Sequence, residues 1–301
     1  MTTPNSRPSP WAQRVRRPLG AGWYWLRGVL GIPTVRRRRL RRFAALHRAA
    51  PTTLARFDVE ADAPGLTLAI IVPMYGHAAF VGAALESVAR QTCLPDEVIL
   101  VNDGSPDNTG DVARAACALW PEPLRSRLRI LDNPANQGQS VSLNRAVAGA
   151  ASDLIMVLND DDYLFHDAVE LVRSLYVTHP ALAMIGSTCV EFHDAAVLRA
   201  ADRKLPGHDA DGVPLTITHP ADALRFRFYN DLNPTHSGCT FRKPAWDAVG
   251  GYAPRRQDRV VRFADRDFEM KINVLFPVGV SRRVPWAFWR DNSSVDKHLL
   301  T

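Results

Sequence analysis

From Leu66 onward the chain alternates short apolar runs with stretches of helical periodicity, and this alternation limits its fold more than any other feature. Residues 66–72 form an apolar run ending at Pro73, which reads as a strand buried on both faces. Phe80, Ala84, Leu85, Val88 and Ala89 then share one helical face. A second strand at 97–101 ends in Asn102-Asp103-Gly104-Ser105, and a helix follows over 107–119. Next come a short strand at 128–131, a helix over 140–151 and a fourth apolar strand at 154–158. Asn159-Asp160-Asp161-Asp162 follows that strand at once, ahead of a helix over 166–177. The pattern predicts an α/β chain with a mainly parallel sheet and helices on both faces. After Pro180 the alternation loosens. Strands are expected at 183–190, 238–242 and 284–289, helices at 244–249 and 263–276, and a long loop over 193–220.

Two acidic clusters sit where strands end, and in an open α/β sheet ligands bind beyond the carboxyl ends of the strands. Asp103 closes the second strand and Asp160–Asp162 follow the fourth, so both should line one crevice. Three consecutive aspartates after a buried strand repel one another unless a cation neutralises them. Carboxylate oxygens suit Mg²⁺ or Mn²⁺. The plainer alternative is a solvated turn, or a cap for the next helix. Asp103 to Asp111 also has the look of a calcium loop, but its sixth position is Asn108 rather than Gly and its twelfth is Arg114 rather than Glu. Asp107 and Asn108 read instead as the turn and cap of the next helix. No GxGxxG or GxxxxGK[ST] follows the first strand, which argues against a dinucleotide oxidoreductase and a P-loop NTPase.

Charge divides the chain. Residues 1–60 hold thirteen arginines and no lysine, set against Asp58 and Glu60, for a net charge of +11. The whole chain carries +6, so the remaining 241 residues carry −5. Residues 1–20 are rich in Pro, Ser and Arg, a disorder-prone composition, and a helix is expected over 35–48. Three roles are open for this arm: a solvated tail, a surface helix on an anionic membrane, or a nucleic-acid contact. Trp23, Trp25, Leu26, Val29, Leu30 and Ile32 precede the arginines and suit a headgroup interface. The body offers no matching basic recognition motif, so nucleic acid is not expected as a partner. The apolar stretch at 23–32 is interrupted by Arg27 and is short of the roughly 20 residues that span a bilayer. A cytoplasmic body, peripheral at the inner face of the membrane, is therefore expected. Cys93, Cys117, Cys189 and Cys239 form no CxxC pair, which points to reduced thiols rather than zinc or a disulfide framework.

Four segments in order resemble the family 2 glycosyltransferases of GT-A fold. They are Ile70-Ile71-Val72-Pro73-Met74-Tyr75 with the following Leu85-Glu86-Ser87-Val88 and Gln91-Thr92; Glu97 to Ser105; Asn136-Gln137-Gly138-Gln139-Ser140 with Leu143-Asn144-Arg145-Ala146; and Leu158-Asn159-Asp160-Asp161-Asp162. The resemblance continues through Gly250-Gly251-Tyr252 and Asp265-Arg266-Asp267-Phe268 to Trp289-Arg290. It implies a GT-A domain over 66–292, with a nucleotide-binding half at 66–165 and an acceptor-side half at 180–292, behind the 1–60 arm. It implies that Pro73, Tyr75, Asp103, Gly138, Asn159 and Asp160 meet the nucleotide of a nucleotide-sugar donor, with UDP favoured. Asn159-Asp160-Asp161 aligns with the family's DXD motif, which makes Asp161 the ligand for Mn²⁺ or Mg²⁺. Asn159 departs from the usual first Asp, and leaves Asp160 or Asp162 to assist.

The resemblance also implies an inverting displacement, with a carboxylate taking the acceptor proton. Asp265 aligns with that base and Asp267 is its reserve, although acidic residues also suit a helix N-terminus. His236 and Ser237 are candidates for the acceptor side, where a glycan or lipid-linked acceptor would suit a membrane-attached enzyme. Two rivals stand beside this function. A sugar nucleotidyltransferase would share the sheet and acidic site, but usually carries a Gly-rich loop with Arg and Lys where Gly76-His77-Ala78-Ala79 stands here. A non-catalytic glycan-binding or scaffold module has Asn159 as its support.

Overall fold

The computed structural model describes residues 65–192, 212–223, 232, 234–254 and 263–290, together with Arg41 and Ala45. The 1–60 arm and its expected helix otherwise lie outside the described residues, as does 193–211 of the expected loop.

The first half follows the alternation. Strand β1 (Leu68–Met74) leads to helix α1 (Val81–Ala89), β2 (Glu97–Asn102) to α2 (Thr109–Ala118) and the short α3 (Glu122–Arg125). Then come β3 (Leu128–Asp132), α4 (Gln139–Gly149), β4 (Leu154–Val157), the two-residue β5 (Tyr163–Leu164) and α5 (Ala168–Thr178). The second half holds β6 (Met184–Ser187), β7 (Cys189–Phe192), β8 (Leu215–Thr218), the short α6 (Pro220–Ala223) and β9 (Thr240–Arg242). It closes with α7 (Lys243–Val249), α8 (Ala264–Leu275), β10 (Val278–Ser281) and β11 (Ala287–Arg290).

Eight strands form one sheet in the order β3-β2-β1-β4-β9-β6-β10-β8. β1 pairs in parallel with β2 on one side and β4 on the other, and β2 pairs in parallel with β3. From β4 onward the sheet is mixed: β9 runs antiparallel to both β4 and β6, β6 is parallel to β10, and β8 is antiparallel to β10. A second sheet of three strands has the order β5-β11-β7.

Every residue of β1 and β4 is buried, because helices cover both faces of the sheet. Successive side chains of a strand point to opposite faces. Leu68, Ile70 and Val72 accordingly join a core built with α1, α2 and α5, while Ala69 and Ile71 join one built with α4, α7 and α8. A truncation such as Ile70→Ala in so closed a setting costs about 2–5 kcal/mol.

The second half departs from expectation in three places. The strand expected at 183–190 is two strands separated at Thr188, β6 in the large sheet and β7 in the small one. Inside the expected loop, Leu215–Thr218 forms an edge strand, and Val278–Ser281, between β6 and β8, forms an interior strand that the sequence did not signal. Both are four residues long, and Gly279 interrupts the apolar pattern of the latter. Among the described residues no helix is long and apolar enough to cross a membrane. The four cysteines form no disulfide.

Candidate active site

The strand order runs outward from β1 through β2 to β3 and then returns to β4 on the other flank of β1. This is a switch point, where the loops that follow neighbouring strands diverge and leave a crevice. Tyr75 follows β1, Asp103 follows β2 and Asn159–Asp162 follow β4, so the two acidic clusters flank the loop that leaves β1.

Asp103 is 3% exposed and organises the loop ahead of α4. Its Oδ1 accepts from the Gln137 N–H at 3.0 Å and from Asn133 Nδ2 at 2.7 Å, and its Oδ2 accepts from the Gly138 N–H at 2.8 Å. Arg145 Nη1 donates to Asn133 Oδ1, which orients that amide toward Asp103 and Ser142. Gly104 makes the approach possible: its φ is +65°, and a Cβ there would lie 2.6 Å from the Ala135 carbonyl carbon. Asp107 closes the next turn, its Oδ1 accepting from the Thr109 N–H at 3.1 Å and its Oδ2 from the Ala78 N–H at 3.2 Å. The side chain of Asn108 caps nothing.

The aspartate triplet is divided in its tasks. Asp160 Oδ2 accepts from the Tyr75 N–H at 2.9 Å, and its Oδ1 meets His77 Nδ1 at 2.8 Å. Burial raises its pKa, with the charge of Asp161 adding to the rise, while the His77 and Tyr75 bonds oppose it. Asp162 Oδ2 accepts from the Ser237 hydroxyl and from Asn159 Nδ2, and its Oδ1 accepts from the Arg290 N–H at 3.0 Å. Burial and then the Asp161 charge push Asp162 up to about 7, against those bonds. Asn159 Oδ1 accepts from Gln139 Nε2 at 3.0 Å, tying the triplet to α4. Asp161 is 9% exposed. Ligand atoms of His77, Asp160 and Asp161 all lie within 4.8 Å of one another, close enough for one metal ion to touch all three. Hard carboxylate oxygens with one imidazole fit Mn²⁺ or Mg²⁺. His77 was not foreseen as a member: no spacing rule links it to Asp160, and only the pairing of β1 with β4 unites them.

The segment 234–239 connects this cluster to α8. Ser237 bonds Asp162 and also accepts from the Asn159 N–H at 3.0 Å, while its neighbour His236 faces the other way. His236 Nε2 lies 3.3 Å from the Tyr252 hydroxyl, and the charge of Asp265 acts on both residues. Burial lowers the His236 pKa, and Asp265 opposes that. Arg266 holds the segment by donating to the Pro234 carbonyl, and pairs with Glu269 at 2.8 Å. Asp265 is partly exposed at the start of α8. Asp267 is 0% exposed, with Oδ2 2.7 Å from Lys271 Nζ. Asp267, the expected reserve, is thus sealed from solvent against a lysine, whereas Asp265 is partly exposed.

The Glycosyl transferase family 2 model matches residues 69–248. The chain is 37% identical over 203 residues to a PGL/p-HBAD biosynthesis glycosyltransferase of Mycobacterium tuberculosis, covering 67% of this chain and 68% of that protein. It is 35% identical over 121 residues to a chondroitin synthase of Pasteurella multocida, which is 40% of this chain but only 12% of that much longer protein. The crystal structure of S. aureus TarS 1-349 in complex with UDP-GlcNAc has a similar fold, with TM-score 0.56 and 17% identity over 76% of this chain and 60% of that one. The switch-point crevice thus lies in a GT-A fold, and the matched segment runs from β1 through the acidic triplet to α7. The chain belongs to glycosyltransferase family 2.

Proposed function

We propose that the protein is a metal-dependent inverting glycosyltransferase that moves a sugar from a nucleotide diphosphate donor to an acceptor hydroxyl. The observation that carries this is the meeting of Asp103, the Asn159–Asp162 turn and His77 at the switch point, with Asp265 on the other side of the 234–239 segment. In this account Pro73, Tyr75, Asp103 and Gly138 receive the nucleobase, and Asn159 and Asp160 the ribose and diphosphate side. UDP is the favoured nucleotide, since the TarS structure of like fold holds UDP-GlcNAc.

Asp161 would hold Mn²⁺ or Mg²⁺, assisted by His77 and Asp160, or by Asp162. When bound, the cation supplies neutralisation of the charge that develops on the leaving diphosphate. The acceptor oxygen attacks the anomeric carbon as the bond from that carbon to the diphosphate oxygen breaks, which inverts the configuration. Asp265 accepts the acceptor's proton, and His236 and Tyr252 border it on the acceptor side. The Asp267–Lys271 pair holds the first turns of α8 from within.

The domain divides at about residues 66–165 and 180–292, donor half and acceptor half. The acceptor is a glycan or lipid-linked hydroxyl, in keeping with the PGL/p-HBAD biosynthesis name of the mycobacterial relative. The arginine-rich residues 1–60 attach the protein to an anionic membrane surface at the cytoplasmic face. Measuring donor turnover with Mn²⁺, with Mg²⁺ and in excess chelator tests the metal assignment. Activity should vanish in chelator and in Asp161→Ala while the fold persists. Full activity in chelator refutes it.

A further inference from the structure

Arg290 ends β11, and the proposed reaction gives it no part. β11 runs antiparallel to β5, with Ala287 opposite Leu164 and Phe288 opposite Tyr163. Continued by two residues, that register brings Arg290 opposite Asp161. The contacts follow: Arg290 Nε donates to the Asp161 carbonyl at 3.0 Å, and the Arg290 backbone N–H donates to Asp162 Oδ1 at 3.0 Å. On its other edge β11 pairs in parallel with β7, Arg290 beside Phe192. The guanidinium carbon lies 4.4 Å from the centre of the Phe192 ring and 4.4 Å from that of Phe80. A planar cation between two rings gains attraction from both and loses rotational freedom. One side chain thus joins the residue preceding α1, the end of β7 and the peptide that carries Asp161. The three-stranded sheet is what delivers it there.

We propose that Arg290 is a positioning residue for the metal ion: clamped between Phe80 and Phe192, it fixes the Asp161 peptide so that the Asp161 carboxylate is held in a ligating position. The inference rests on the metal-site reading of Asp161 given above. A divalent cation tolerates only small errors in ligand distance, and a carboxylate on a turn can be no better placed than its own backbone. Here that backbone is held by Arg290 Nε at the Asp161 carbonyl and by the bonds at Asp162. The guanidinium also sets a positive charge beside Asp161 and Asp162 that eases their mutual repulsion. Burial lowers the Arg290 pKa, and those two carboxylates oppose the shift. Partners that orient metal ligands typically matter by 10–100-fold in metal affinity.

The test is Arg290→Met, read by calorimetry with Mn²⁺ alone, with UDP in chelator, and with UDP plus Mn²⁺. Met keeps an apolar filling between the two rings and removes the Nε–H, and the backbone bond to Asp162 stays. Mn²⁺ affinity and Mn²⁺-dependent UDP affinity should fall about 10-fold or more, with UDP affinity in chelator unchanged. Arg290→Lys keeps the charge but not the planar donor, and should remain at least about fivefold weaker for Mn²⁺. If metal-free and metal-dependent UDP binding fall together, or neither falls, the positioning role is overturned. Wild-type Mn²⁺ affinity in Arg290→Lys overturns it as well, and that variant carries the test should Arg290→Met not fold. Asp161→Asn separates the two levels: if it binds Mn²⁺ like wild type, the metal reading fails, whereas loss in Asp161→Asn with wild-type binding in Arg290→Met sinks only the role of Arg290.

Discussion

Asp265 and Asp267 stand two residues apart at the start of α8, and the fold gives them opposite surroundings. At 100° per residue they point about 200° apart, so one lies toward solvent when the other faces the core. Lys271, four residues after Asp267, completes a helix-spaced ion pair with it at 2.7 Å. Both signals were legible in the sequence. The family resemblance ranks Asp265 first and Asp267 as its reserve, and the helical spacing of Asp267 to Lys271 points the same way. Asp265→Asn should lower turnover by about 10²–10⁴-fold and leave nucleotide diphosphate binding with Mn²⁺ nearly constant in calorimetry. Turnover close to wild type in that variant returns the base role to His236 or to the 193–220 loop. Asp267→Ala should act on stability instead. It leaves Lys271 without its carboxylate and should cost on the order of 3 kcal/mol, read as a lowered chemical-denaturation midpoint. His77 is the reverse case. A lone histidine in a loop carries no sequence signal for a metal cluster until β1 and β4 are known to be neighbours.

At the scale of elements, the first half was largely legible because β1, β2 and β4 are apolar runs and helices with clear faces separate them, although the two-residue β5 carried no signal. The second half was not, because it is built from strands of three or four residues that trade partners between two sheets. The break at Thr188, which sends β6 to one sheet and β7 to the other, leaves no mark on hydropathy. The segment 234–239 shows how much rests on such short pieces. Gly238 has φ +80°, and a Cβ there would lie 2.8 Å from Trp286 Cδ1. Trp286 is fully buried and donates its Nε1–H to the Gly238 carbonyl at 2.9 Å. Gly238→Ala meets both backbone strain and a ring fixed in the core, so the segment must shift and carry Ser237 away from Asp162. Loss of stability and of Mn²⁺-dependent donor binding together is the expected outcome, measured by thermal unfolding and calorimetry on one sample. Unchanged donor binding in a folded Gly238→Ala protein would show that Ser237 does not fix the acidic turn.

For the whole molecule, an acidic body follows a basic arm, +11 over residues 1–60 against −5 over the rest. Each basic residue near an anionic bilayer contributes about 1 kcal/mol, so a few engaged arginines suffice to hold the protein there. Deleting residues 1–60 should leave folded protein that binds nucleotide normally and loses at least about 10-fold in partition to vesicles containing anionic lipid, an effect that also weakens with salt. Equal partition of the two forms returns the arm to a solvated tail. The site that this arm would bring to the membrane was read from four motifs in order, and the sheet explains why they belong together: each follows a strand at the same carboxyl-end edge. What those motifs imply is cleavage of a nucleotide sugar between the sugar and the diphosphate. The most direct measurement is therefore to incubate the full chain with a panel of nucleotide sugars and Mn²⁺ and to identify the phosphorylated product. Free nucleotide diphosphate, UDP foremost, is the expected product, dependent on Mn²⁺ or Mg²⁺ and lost in Asp161→Ala. Release of pyrophosphate in a nucleotidyl transfer, or full donor cleavage by Asp161→Ala, would contradict it.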